Sequence, residues 1–158
     1  MKVVGWDPAA ATGQFIGDFT PNSGTSKSIA AALINDGADV LFPVGGDQFG
    51  AVSEAIKEAG VNGVMIGVDK NVAVTSPEYA DLVLTSVEKR MTNAVYDIIA
   101  ALSSGEAFSG DAYVGTLANG GTGLSPFYEF DAKISDEVKA RLAELEAGII
   151  SGEVDPLK

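Results

Sequence analysis

The chain has 158 residues, of which 46% are hydrophobic and 20% charged, a composition that favours one globular domain and excludes disorder as its main state. Its formal net charge of −12 makes nucleic acid and anionic membrane surfaces poor partners, because both attract basic proteins. The chain has no Cys and no His, which excludes thiol nucleophiles, disulfides, thiolate zinc sites and Ser-His-Asp arrangements.

Membrane insertion is not predicted, because the longest apolar runs are of strand length and fall well short of a bilayer span. The first residues enter an apolar strand-like run without a signal-peptide pattern, so we expect this chain itself to carry neither signal nor anchor. The absence of Cys is compatible with a bacterial cell envelope as well as with the cytosol.

Short apolar runs alternate along the chain with longer segments of helical period. A polar loop rich in Gly, Thr and Asp, residues 9–24, follows the first run. Gly37 and Gly60 are placed to end the first two helices, and Ser86 is placed to cap the third. The pattern predicts five strands and four helices: strands over 2–6, 39–44, 64–68, 81–85 and 112–117, and helices over 26–35, about 47–59, 87–103 and from 135 onwards.

This alternation predicts an α/β fold, a single domain over residues 1–158 with a parallel five-stranded sheet between two helical layers. Right-handed crossovers favour the flavodoxin-like strand order 2-1-3-4-5.

Ligands of such sheets collect at the carboxyl ends of the strands, where loops meet helix amino ends. The side chains and backbone that this rule selects are Asp7, Phe15, Phe19, Gly45, Gly46, Asp69, Thr85, Ser86 and Lys89. A carboxylate that accepts from two vicinal hydroxyls, beside an ammonium that donates to the same oxygens, suits a neutral polyol.

Other interpretations compete with this one. The aromatic residues could only pack their loop onto the core, the glycines could only form a turn, and Asp69 and Lys89 could be solvated surface charges. A receiver-like phosphoacceptor domain would also place Asp69 and Thr85 at strand ends, but it needs paired acids after the first strand, where only Asp7 stands. An enzyme on this fold lacks a second carboxylate paired with Asp69, and a scaffold without ligand stays open.

Four motifs together resemble the basic membrane lipoprotein (BMP) family, the substrate-binding proteins of ABC transporters whose best known members bind purine nucleosides. They follow one another in the family's order and span most of the chain. The motifs are residues 37–46 (GADVLFPVGG), 66–69 (IGVD), 84–97 (LTSVEKRMTNAVYD) and 119–126 (NGGTGLSP).

The resemblance implies a non-catalytic solute-binding module of the type I periplasmic binding protein fold, with no cofactor and no metal. By motif position, Phe19 would stack on the base, Gly45 would bring backbone to the ligand, and Asp69 would hold the ribose hydroxyls with Lys89 beside it. The implied partners are a purine nucleoside and, for a full-length parent in the cell envelope, the transporter permease.

The resemblance also implies a division of the chain. Residues 1–110 resemble the family's carboxy-terminal lobe, and 111–158 resemble the segment that returns to an amino-terminal lobe absent from this chain. We expect that segment to dock on its own sheet, giving a monomer, although exchange with a second copy would give a homodimer. Half a clamp should bind its ligand weakly, because a ligand pocket normally buries roughly 70–90% of the ligand surface.

Overall fold

In a computed structural model of the protein, residues 2–107 and 109–156 are described, and helices alternate with strands through most of this range. The elements in chain order are β1 (Trp6–Asp7), β2 (Thr12–Gly13), α1 (Gly24–Asn35), β3 (Val40–Leu41), α2 (Phe49–Ala59), β4 (Val64–Asp69), α3 (Val72–Thr75), β5 (Val83–Lys89), α4 (Met91–Ser103), β6 (Thr122–Leu124) and α5 (Asp136–Ser151), with 3-10 helices over Pro77–Leu82 and Tyr128–Lys133.

The main sheet has four strands in the order β3-β4-β5-β6. The first three are parallel, and β6 runs antiparallel to β5, with Val87 opposite Leu124 and Lys89 opposite Thr122. The predicted α/β class is therefore confirmed. The predicted five-stranded, all-parallel sheet of order 2-1-3-4-5 is wrong, because the first and fifth predicted strands do not join it.

The first predicted strand, residues 2–6, does not form a sheet strand. Trp6–Asp7 pairs instead with Thr12–Gly13 in a small antiparallel hairpin. Gly5 has φ 81, a left-handed conformation that turns the backbone out of an extended path, and Val3 stays exposed. The apolar run thus lacks the neighbouring strand that would have buried it.

The fifth predicted strand, residues 112–117, is an irregular segment because local side-chain hydrogen bonds hold its backbone. Asn119 accepts from the Thr116 amide at 2.7 Å and donates to the Val114 carbonyl at 2.9 Å. Such bonds compete with a sheet ladder for the same backbone groups. The strand that does form, Thr122–Leu124, begins just beyond this turn.

Helix boundaries match the prediction where a local signal sets them. Ser23 and Ser135 cap α1 and α5 by accepting from amides three residues on, and Gly60 ends α2 at φ 64. Helix α4 begins at Met91 and not at 87, because the chain stays paired with β4 as far as Glu88. Ser86 is therefore a buried strand residue and not a helix cap, a correction to the prediction.

The hydrophobic core lies between α1, α2 and the parallel strands, with members such as Ile34, Phe49, Ile56, Met65 and Val83. Helix α4 has no buried residue, so the predicted covering of both sheet faces by helices is incomplete. None of the described helices is long and apolar enough to cross a bilayer.

Candidate functional site

A cleft of about 910 Å³ opens at the carboxyl ends of the parallel strands. It lies where the turns after β3 and β4 meet the end of β5 and the loop before α1. The four residues to which the sequence assigned ligand contacts, Phe19, Gly45, Asp69 and Lys89, all line it. Residues that are up to 70 positions apart in the chain, Phe19 and Lys89, thus meet at one cleft.

Asp69 and Lys89 form an ion pair at the rim, with 2.8 Å between Lys89 Nζ and Asp69 Oδ1. The two side chains are 54% and 67% exposed. An ion pair in water contributes only about 0–1 kcal/mol to folding, so the fold does not depend on it. Both groups keep free hydrogen-bonding capacity toward a molecule in the cleft.

The backbone at Asp69 takes an uncommon conformation that directs its side chain. Its φ is 65, and the Lys70 amide donates to the Val68 carbonyl at 2.7 Å across a three-residue turn. Residues other than glycine rarely occupy this region, although Asp and Asn tolerate it better than most. Strain of this kind is found most often at ligand-binding sites.

Two glycines bring bare backbone to the cleft. Gly45 has φ 148, and a Cβ built on it would meet no atom within 4 Å, so open space adjoins its backbone. Gly46 has φ 77 and lies against Phe19, whose Cδ1 would be 3.7 Å from an added Cβ. An ion pair from Lys70 Nζ to Asp47 Oδ2, 3.2 Å long, ties this turn to the end of β4.

The walls between these polar groups are largely apolar. They include side chains that the sequence analysis did not assign to the site: Phe42, Val44, Val87, Met91, Tyr113 and Val114. Phe19 is 77% exposed, so its ring presents a face that is free to stack. An apolar cleft with few convergent polar groups is typical of a small-molecule site.

The charges at the rim are balanced although the chain as a whole is acidic. Arg90 Nε donates to Glu88 Oε2 at 2.9 Å, and both residues line the cleft beside the Asp69–Lys89 pair. Two carboxylates thus face two cations. A rim without excess charge favours a neutral ligand over an anion.

Tyr113 lines the cleft and is hydrogen-bonded to α4. Its hydroxyl donates to Asp97 Oδ2 at 2.7 Å. This hydrogen bond, aided by partial desolvation, raises the pKa of the Tyr113 hydroxyl above its ordinary value of 10.0.

Four residues that the strand-end rule selected lie elsewhere. Asp7 lies in the small hairpin, where its Oδ1 accepts from the Ala9 and Ala10 amides. Thr85 and Ser86 are buried inside β5, where Thr85 Oγ1 donates to the Ser125 carbonyl and Ser86 Oγ accepts from the Val72 amide. Phe15 does not line the cleft and packs edge-on against Trp6, with 6.3 Å between ring centroids. Thr85 therefore cannot play the strand-end part that a receiver-like domain requires.

Among the residues that the structure describes, no group of three or more acidic side chains is arranged to hold a metal ion.

Comparison with known proteins identifies the family of this chain. Residues 14–155 match the family model described as ABC transporter substrate-binding protein, PnrA-like. The chain belongs to this family. The predicted resemblance to BMP proteins is thereby confirmed, and the family is one of non-catalytic substrate-binding proteins.

Individual relatives agree with this assignment. Basic membrane protein D of Borreliella burgdorferi (strain JD1) is 31% identical over 85 residues, which are 54% of this chain and 24% of that protein. A solute-binding protein of an ABC transporter system from Aeropyrum pernix K1 superposes with a TM-score of 0.70 at 25% identity over 89% of this chain. A second such structure, from Conexibacter woesei DSM 14684, shares the fold with a TM-score of 0.62 at 20% identity over 83% of this chain.

The chain spans less than half of each solved relative, 45% of the Aeropyrum chain and 41% of the Conexibacter chain. It therefore corresponds to part of a solute-binding protein, about the share that one lobe of a two-lobed protein would occupy.

Proposed function

We propose that this chain is one lobe of an ABC-transporter solute-binding protein for purine nucleoside-like ligands. The observation that carries the proposal is the Asp69–Lys89 pair, 2.8 Å apart, on the rim of a cleft that Phe19 and Gly45 also line. Family membership supports the solute-binding part of the proposal. The nucleoside part rests on the chemistry of the rim and on the BMP resemblance.

Each side chain has a part that its chemistry suits. The exposed ring of Phe19 stacks on the flat face of the base, as aromatic rings do on planar heterocycles. Asp69 accepts from vicinal sugar hydroxyls, and Lys89 donates to the same sugar from beside it. Gly45 lets the ligand approach the backbone because no side chain intervenes.

The charge of the protein should make the cleft bind a nucleoside in preference to its phosphorylated forms. A nucleotide would bring two negative charges to a protein of net charge −12, and the cations at the rim are already paired with carboxylates. An uncharged ligand meets no such repulsion. We therefore expect adenosine or guanosine to bind more tightly than the corresponding monophosphates.

The affinity of this chain alone should be weak. One wall of a clamp leaves much of the ligand in water, whereas closed pockets bury roughly 70–90% of it. The full-length parent would supply the second wall, and it would act in the cell envelope with a transporter permease as its partner. A calorimetric titration that gives sub-micromolar affinity for adenosine, guanosine or inosine with this chain would contradict the one-lobe assignment.

The direct test compares Asp69→Asn with the wild type in an NMR titration with adenosine. Asn keeps the tolerance for φ 65 but removes the charge that strengthens hydrogen bonds to hydroxyls, so the affinity should fall roughly 10-fold. Asp39→Asn makes the same charge change at the start of β3, away from the cleft, and should leave the affinity unchanged. Equal affinities of Asp69→Asn and the wild type would refute the role assigned to Asp69.

A further inference from the structure

Gln48 is a fully buried polar side chain directly behind the candidate site. It precedes α2, its exposed fraction is 0%, and it does not line the cleft. A buried amide that touches no ligand needs another reason to be there, because burying a polar group costs free energy unless its hydrogen bonds are made.

The Gln48 amide joins the two loops that carry Phe19 and Gly45. Its Nε2 donates to the Thr20 carbonyl at 2.9 Å and to the Gly45 carbonyl at 3.2 Å. Thr20 directly follows Phe19 in the chain, whereas Gly45 lies on the turn after β3. One NH₂ group therefore bridges backbone acceptors of two neighbouring loops that both line the cleft.

A primary amide suits this position. Its one nitrogen carries two donors that can serve both carbonyls without burying a charge, and the reverse orientation would place the amide oxygen against two other oxygens. The oxygen that remains, Oε1, is buried and has no hydrogen-bond partner in the described part of the chain. An acceptor left unsatisfied is unfavourable, so the two donated bonds are what the residue contributes.

Phe19 depends on this bridge because its loop has few other attachments. Asn22 fixes the far end of the loop, where its amide donates to the Asp47 carbonyl at 2.9 Å and its Oδ1 accepts from the Ala51 amide. Phe19 itself is 77% exposed and so has little packing to hold it. Without the Gln48 bridge, the segment before Asn22 would be free to move away from Gly45.

We infer that Gln48 is a positioning residue that sets the spacing between Phe19 and Gly45 without contacting the ligand. Its effect on ligand affinity rests on the proposed function, whereas its effect on the loop does not. The two effects are measured separately in the test.

The test replaces Gln48 by Met, which has similar length and no donor. Hydrogen exchange followed by mass spectrometry, in peptides covering residues 17–22, should be roughly 10-fold faster at the amides that are hydrogen-bonded there, Thr20 to Asp18 Oδ1 and Asn22 to the Asp47 carbonyl. This is the order expected when two hydrogen bonds are lost. The control is Ser53→Ala, which removes a buried hydroxyl of α2 that forms no hydrogen bond with these loops in the described part of the chain and should leave that exchange unchanged. Unchanged exchange in Gln48→Met would overturn the inference.

The affinity for adenosine is then measured with both variants. A loss of roughly 10-fold in Gln48→Met, but not in Ser53→Ala, supports the positioning role. Faster exchange with undiminished affinity would overturn it, because the spacing would then not matter for binding. If the wild type binds no nucleoside at all while the exchange still differs, the proposed function fails and the loop bridge stands.

If Gln48→Met does not fold, a measurement on the wild type tests whether the Gln48 bridge is present in solution. The chain has one other glutamine, Gln14, whose side chain is exposed and serves as an internal reference. By NMR, the Gln48 side-chain NH₂ protons should exchange with water much more slowly than those of Gln14. Equal exchange rates would mean that the bridge is absent in solution.

Discussion

Helices α2 and α4 have similar amphipathic patterns but differ greatly in how far they are buried. Seven residues of α2 are buried, including Phe49, Val52 and Ile56, whereas α4 has none. On α4 the apolar side chains Val95, Ile98, Ile99 and Leu102 all stay between 38% and 58% exposed. An apolar stripe thus predicts that a helix has a face to bury, but it does not identify the partner that buries it.

The same contrast in burial separates the first part of the described chain from the later part. Every member of the main core lies between Ala30 and Val83, and the later part of the described chain adds little beyond Phe130. The candidate site lies on the border between the two regions, with Gly45 and Asp69 on the well-packed side and Tyr113 on the other. We expect the first region to be rigid and the second to respond to a partner or ligand.

The largest expected effect comes from a matched pair of isoleucines, one on each helix. Ile56→Ala should lower the free energy of unfolding by about 2–5 kcal/mol, because Ile56 is 2% exposed and its loss leaves a cavity. Ile99→Ala removes the same atoms from a side chain that is 58% exposed and should change that free energy by less than about 0.5 kcal/mol. Urea denaturation of both variants measures the difference.

The comparison fails if Ile99→Ala is as destabilising as Ile56→Ala. That result would mean that the apolar face of α4 is covered in solution, for example by a second copy of the chain. Repeating the denaturation at two protein concentrations separates the cases, because stability that depends on association rises with concentration. Light scattering then distinguishes the predicted monomer from the segment-exchanged homodimer.

A smaller effect concerns the hydrogen bond that ties Tyr113 to α4. Because the folded-state pKa of Tyr113 is raised, the bond to Asp97 persists below the ordinary pKa of 10.0 and is lost as the pH rises through the higher folded-state value. In an ultraviolet titration of phenolate, Tyr113→Phe should remove a step above the ordinary tyrosine pKa. Tyr96→Phe changes an exposed tyrosine of α4 and should leave that step in place.

If the step persists in Tyr113→Phe, the Tyr113–Asp97 hydrogen bond does not form in solution.

Sequence reasoning found the elements whose boundaries are set by local chemistry. Helix α2 has a strong apolar period and a stop at Gly60, and Ser135 caps α5 through its own side chain. The strand-end rule also brought Phe19, Gly45, Asp69 and Lys89 to one cleft, because parallel strands align their carboxyl ends irrespective of sequence distance. Their roles toward a ligand stay predictions, as does the division of the chain at residue 110.

The wrong predictions concern segments whose structure is set by pairing with distant parts of the chain. Strand β5 extends to Lys89 because β4 pairs with it as far as Glu88 and β6 pairs with Lys89 through Thr122. These partners are distant in the chain, so no local sequence pattern indicates them. Thr85 and Ser86 are buried for that reason. Tyr113 was missed because its segment was assigned to an edge strand, whereas the side-chain bonds of Asn119 hold that segment in an irregular path beside the cleft.

The most direct test of the proposed nucleoside site is an NMR titration of the wild-type chain with adenosine that maps which residues contact the nucleoside. We expect chemical-shift changes concentrated at Phe19, Gly45, Asp69 and Lys89, with intermolecular contacts from the Phe19 ring to the base and from Asp69 to the ribose side. Changes confined to residues outside this cleft, or none at millimolar nucleoside, would contradict it.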